Sequence, residues 1–193
     1  GLPPARRVLE FERLTHAIAT GPIDDRRALV ETARDLLRSD GRVSPRDRLW
    51  WLALRHRMGV QQNKQAYMRP MTGQGHDLHQ LGPQELAYVT SLTSYLARFV
   101  PCEEPAEGPH TAGLAWFKGV MTRCGGGPET LVPGAPPDAD ALMHALAGVQ
   151  ELSWMIRPIL LKAWVEEALN HSPQGVLSND AADSLRLVAA LIE

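Results

Sequence analysis

Apolar residues recur at three- and four-residue intervals through almost the whole chain, and no stretch sustains the two-residue alternation or the Val/Ile/Thr density of a sheet. The pattern predicts an all-α protein of about eight helices. The first runs from about Pro4 to Ala19, with Val8, Phe11, Leu14 and Ile18 on one stripe, and stops at Gly21. A second begins near Pro22 or Asp24, where acidic residues suit the positive helix end, and carries Leu29, Ala33, Leu36 and Leu37. The third starts at Ser44. After an aperiodic stretch, "GPQELAYVTSLTSYLARFV" resumes a helix with Leu86, Val89, Leu92 and Leu96 inward, up to Pro101. An acidic loop, "CEEPAEGP", separates it from a helix in "HTAGLAWFKGVMTRC". Three further helices are expected in "ADALMHALAGVQEL", where Leu142, Ala145, Leu146 and Val149 form the stripe, in "RPILLKAWVEEALN" and in "SNDAADSLRLVAALI".

Two turns share a frame. "SDGRVS" and "SPQGVLS" each lead from an apolar helix through Gly-x-(apolar)-Ser into the next, so that Gly41 aligns with Gly175, Val43 with Leu177 and Ser44 with Ser178. Each Ser is placed to cap the helix that follows, and the apolar residue before it to staple the chain's approach. This reads as a diverged internal repeat of a helical hairpin. The first turn also has the outline of a calcium loop. With Gly41 at the sixth position, however, the first, third, fifth and twelfth positions hold Leu36, Arg38, Asp40 and Asp47. An apolar and a cationic residue replace two of the oxygen ligands that such a loop needs. A helix turn accounts for every residue: Gly41 in the left-handed conformation, Ser44 as N-cap, Pro45 in the first helical position and Asp47 closing a capping box. Asp40, Gly41, Ser44, Gly175 and Ser178 are therefore assigned structural roles, and no metal site is expected.

The chain has 193 residues, enough for one helical domain or two small lobes. Little periodicity is present in residues 60–81, and residues 126–136 are rich in Pro and Gly, so both read as linkers. If they divide the chain, the lobes are 1–59 together with 82–125, and 137–193. A formal charge of −2 argues against nucleic acid as a partner. The charge is uneven: residues 1–58 hold twelve Arg against eight acidic residues, a net +4, and the rest hold eight basic and fourteen acidic, a net −6. Two cysteines are too few for a disulfide framework. The most apolar run, "LSWMIRPILLKAWV", is broken by Arg157, Pro158 and Lys162 short of the ~20 residues that cross a bilayer. "GLPP" at the start reads as an expression remnant, which would make the chain a piece of a larger protein.

Catalytic chemistry finds few footholds. His76 and His79 in "HDLH" lack the His-Glu-x-x-His spacing of zinc proteases. Cys102, His110 and Cys124 match no short zinc pattern, and "CGGGPE" lacks the Lys of a phosphate loop. No nucleophile elbow occurs. The pairs Glu103/Glu104 and Glu166/Glu167 are sequence neighbours, which face different ways on a helix and are expected to be solvated. The third helix is more informative as a surface. Leu49, Leu52, Ala53 and His56 make its inner stripe, while Trp50 and Trp51 differ by about 100° of rotation and stand among Arg46, Arg48, Arg55 and Arg57. Tryptophan among arginines is the composition of a binding hot spot, so Trp50, Trp51, Arg55 and Arg48 are the candidate docking residues.

"LLRSDGRVSPRDRLWWLALR" resembles the helix-turn-helix of TerB-like domains, whose turns read Asp-Gly-x-(apolar)-Ser/Thr. From about Leu9 to Ile192, the order of segments resembles the C-terminal region of HtpX-type bacterial membrane zinc metallopeptidases. An Asp-Gly turn is followed by a helix pair like "ELAYVTSLTSYLARF" and "AGLAWFKGVM", a Pro-rich break like "PGAPPDADALMHAL", a "LLKAWVEEAL" helix and a final "SLRLVAAL". The chain departs from TerB proteins at Gln174, where Asp is expected before Gly175, and at Arg48, near a usual Glu, so their metal binding is not carried over.

The resemblance implies two diverged TerB-like units around a shared core, with the zinc and the catalytic motif in an upstream protease domain. This chain would then have no cofactor of its own. It would be a non-catalytic scaffolding, regulatory or substrate-recruiting domain at the cytoplasmic side of the bacterial inner membrane. Its partners would be another protein or the protease domain of its own polypeptide, with the membrane surface as a further contact. The alternative is a free-standing TerB-like metal-ion-binding stress protein.

Overall fold

A computed structural model describes residues 3–39, 41, 43–59, 77–102, 109–135, 137–172 and 175–192. The fold is all-α: eight α-helices, with no strand among the described residues. The chain divides into two compact units, Gly1–Ala66 and Tyr67–Glu193.

The first unit holds α1 (Pro4–Ala19), α2 (Ile23–Ser39) and α3 (Pro45–Arg57). α3 is the middle helix, packing on both α1 and α2. Its Leu49, Leu52 and Ala53 are buried, as their stripe predicts, together with Val8, Thr15 and Val30 from the flanking helices. The expected stripes of α1 and α2 are each rotated. Leu14 and Ile18 of α1 face outward, and the residue inside is Thr15, two turns on from Val8, whose hydroxyl donates to the Phe11 carbonyl at 2.8 Å. In α2, Leu36 is exposed and Val30 takes the inner position. Because the Thr15 hydroxyl is satisfied by its own helix, its burial leaves no donor unmet, and hydropathy alone misplaces the face.

The second unit is a ring of five helices: α4 (Pro83–Leu96), α5 (Thr111–Arg123), α7 (Ile156–Asn170), α8 (Asn179–Ile192) and α6 (Ala139–Gln150), each packed on the next and α6 closing on α4. This grouping differs from lobes of 1–59 with 82–125 and of 137–193: α4 and α5 belong with α6, α7 and α8, and the two repeated hairpins fall one in each unit. The described residues of the segments read as linkers include two short turns. A 3₁₀ turn at Leu78–Gln80 packs on α7, and another at Pro128–Leu131 packs on α5.

Aromatic residues fill the ring. Trp116, Trp164, Tyr95, Phe99 and Phe117 are fully buried. The Trp116 indole donates to the Trp164 carbonyl at 2.9 Å, and the Trp164 indole donates to Thr93 Oγ1 at 3.0 Å, so α5, α7 and α4 are joined without an unmet polar group on either ring. α4 and α6 approach closely because Gly148 has no side chain: a Cβ there would lie 2.1 Å from the Tyr88 ring. At the end of α4, the buried Arg98 donates to the Ser94 carbonyl at 2.7 Å, one of the four that the helix end leaves unmet, and burial lowers its pKa.

Candidate functional site

Both hairpin turns are built as their sequence frame predicts. Gly41 and Gly175 adopt φ of +75° and +67°, the left-handed conformation that an L side chain resists. Ser44 Oγ accepts from the Asp47 amide at 3.1 Å while Asp47 Oδ2 accepts from the Ser44 amide at 3.3 Å, which completes a capping box, and Pro45 starts the helix. Ser178 Oγ accepts in the same way from the Ala181 amide at 3.1 Å. Asp40 lies outside the described residues, as do His76 and Gln174.

The first of these turns launches α3 with its two tryptophans reaching different neighbours. Trp50 meets Phe11 of α1 edge to face, ring centroids 5.0 Å apart, and the Trp51 indole donates to the Val30 carbonyl of α2 at 3.2 Å. Both remain half-buried, as do Arg48 and Arg55. The Arg55 guanidinium stands 5.6 Å over the Trp51 ring. Arg57 reaches α1 and pairs with Glu12 at 2.6 Å, and Arg26 of α2 donates to the Met58 carbonyl at 2.8 Å, closing the end of α3. Trp50 and Trp51 thus also join α3 to α1 and α2.

The structure brings together two of the residues considered for zinc and parts them from the third. His110 caps α5: its Nδ1 accepts from the Gly113 amide at 2.8 Å, and its Nε2 is hydrogen-bonded to the Cys102 carbonyl, with Cys102 Sγ 3.5 Å away. Cys124 lies beyond the other end of α5, about 20 Å along the helix. Burial pushes its thiol pKa up to about 12, which leaves it an inert core residue. His79 sits near Gly125, just past Cys124. Among the described residues, no group of three or more His, Cys, Asp or Glu side chains is arranged to hold a metal ion.

Glu167 is buried, against the solvated reading, while Glu166 stays partly in solvent. Both turn toward α5, where Arg123 binds Glu166 at 2.6 Å and Glu167 at 2.7 Å, and Lys162 and His171 flank them at 3.6 and 3.5 Å. The bond from Arg123 holds the Glu166 carboxyl below its ordinary range and raises the arginine in turn. Neighbouring carboxylates share one cation because a guanidinium offers several donors in a fixed fork.

The apolar surface of the second unit had little signal in the sequence beyond the hydrophobicity of the run around Trp154. α7 and α8 leave an apolar groove of about 250 Å³ between them, lined by Leu161, Val165, Leu177, Leu185 and Ala189, with Arg186 at its edge. The outward side of α7 adds Met155, Ile159 and Leu169, and Trp154, just before the helix, is 74% exposed. No described helix is long and apolar enough to cross a membrane. No protein-family model matches the chain, and no curated protein or solved structure matches it either.

Proposed function

We propose that this chain is a non-catalytic helical domain that recruits or regulates a protein partner, as part of a bacterial membrane-bound zinc metallopeptidase and on its cytoplasmic side. The single observation that carries the recruiting role is the apolar groove between α7 and α8, flanked by the exposed Val165 and Val176. Exposed apolar surface beside a concave site is where soluble proteins meet partners. The half-buried Trp50, Trp51, Arg48 and Arg55 form a second candidate surface on the other unit. The order of helical segments supports the metallopeptidase context.

Two measurements test the reading. The coding sequence upstream of Gly1 is expected to encode, in frame, membrane spans and a His-Glu-x-x-His helix. A different upstream sequence overturns the metallopeptidase context. The protease region so encoded, produced separately, is expected to bind this chain, and Leu177→Glu in the groove to weaken that binding about tenfold or more. Equal binding by the variant removes the groove from the account. Stoichiometric heat on titration with calcium or zinc would favour the TerB-like ion-binding reading instead.

A further inference from the structure

The outward side of α7 repeats with a spacing of its own. Met155, Ile159, Lys162, Glu166 and Leu169 follow one another at alternating steps of four and three, the spacing that keeps side chains on one seam of a helix that packs along another. Ile159 and Leu169 are exposed at 38% and 40%, Met155 at 37%, and the Lys162 side chain at 73%. Two apolar residues therefore bracket Lys162 and Glu166, which pair along α7 at 3.6 Å, and Glu166, though held from α5 by Arg123, keeps 41% of its side chain exposed.

The order of these residues selects an occupant. A second α7 laid antiparallel, with its two-fold axis level with Trp164, sets Lys162 against Glu166 of the other copy and Glu166 against its Lys162. The same axis sets Ile159 against Leu169 on both sides. A parallel arrangement would instead oppose Lys162 to Lys162 and Glu166 to Glu166, which is unfavourable at close range. The seam is complementary to itself in one orientation only.

We infer that α7 is a self-association surface through which two copies of this chain pair antiparallel and two-fold, by Ile159–Leu169 packing around reciprocal Lys162–Glu166 ion pairs. A two-fold contact uses the same patch twice, so each favourable pair counts double. The inference goes beyond the recruiting role of the groove and uses none of its lining residues, Leu161 and Val165 of α7 included.

Sedimentation equilibrium of the full chain over a wide concentration range tests it. The unmodified chain is expected to show a monomer–dimer equilibrium, and a chain that stays monomeric overturns the proposal. Lys162→Glu places like charges opposite each other at both pairs, and is expected to weaken the dimer about tenfold or more. Glu166→Lys does the same with the opposite sign, leaving Glu167 to hold Arg123. Mixing the two variants sets the carboxylate introduced at position 162 of one chain against the ammonium introduced at position 166 of the other. The second pair in the mixture is then the native Glu166 against the native Lys162. The mixture is expected to dimerise again, with circular dichroism confirming that each variant is folded. Failure to recover the dimer overturns the antiparallel pairing. Leu177→Glu is expected to leave the dimer intact, so loss of partner binding and loss of self-association are read separately.

Discussion

Laid on each other by their turns, the α2–α3 and α7–α8 hairpins agree at Gly41 and Gly175, at Ser44 and Ser178, and at the buried pairs Leu49/Asp183 and Ala53/Leu187. They part elsewhere along the second helix. Leu52 is 1% exposed, whereas its counterpart Arg186 has 56% of its side chain in solvent, and half-buried Trp50 corresponds to the fully buried Ser184. The difference follows from what surrounds each hairpin. α3 is packed between α1 and α2, and α8 between α6 and α7. A turn motif is decided by four residues and their own backbone hydrogen bonds, so it survives a change of surroundings. The face that a helix buries is decided by its neighbours, so it does not.

The largest test of this contrast removes an aromatic from each hairpin. Trp164→Ala is expected to cost about 4 kcal/mol of stability, because the ring is fully buried and its loss leaves a cavity and an unmet Thr93 hydroxyl. Trp51→Ala, half-exposed and joined by one hydrogen bond, is expected to cost about 2 kcal/mol or less. Urea unfolding of both variants reads the difference, and equal losses would break the contrast. At the turns the two hairpins should instead behave alike. Gly41→Ala and Gly175→Ala are each expected to cost about 1–2 kcal/mol, since an added Cβ meets no neighbour at either site and only the left-handed backbone resists it. Ser44→Ala and Ser178→Ala are each expected to cost about 1 kcal/mol through the lost cap. A large disparity within either pair would mean that the turns are not equivalent.

The smallest effect sharpens the comparison by pH. Glu166 has its pKa depressed by Arg123 in the folded chain, so the stabilisation is present above the unfolded carboxylate pKa and is lost as pH falls through the folded value. The acid side of the melting-temperature profile, below about pH 4.5, is where it disappears. Arg123→Gln is expected to flatten that part of the profile slightly, and the full change is small because the pair faces solvent and is screened.

Legibility in the sequence followed the same division. The stripes of α4 and α6, led by Val89, Leu92 and Leu96 and by Leu142, Ala145, Leu146 and Val149, are buried as periodicity predicts, because these helices turn strongly apolar faces to a large core. Those of α1 and α2 were rotated, because a three-helix unit buries less and lets Thr15 replace an aliphatic residue while Leu14 and Leu36 remain outside. At the candidate sites, Trp50 and Trp51 were legible as a pair, and the 100° between them does send them apart. The partners they reach, Phe11 and the Val30 carbonyl, lie 39 and 21 positions away in the chain and carry no local mark. Nor does anything near Glu166 and Glu167 announce Arg123, which arrives from α5.

By itself, the sequence determined that this chain is helical, where its turns fall, and that Gly and Ser would build both of them, since these depend on backbone conformation and on hydrogen bonds spanning three or four residues. Only the tertiary structure decided that α4 and α5 join the last three helices rather than the first three, that α3 is clasped through its tryptophans, and that Ile159, Lys162 and Leu169 of α7 stay exposed. Those outcomes depend on which amphipathic surfaces find one another across long stretches of chain, where burial of apolar area is proportional to the fit and does not depend on sequence distance.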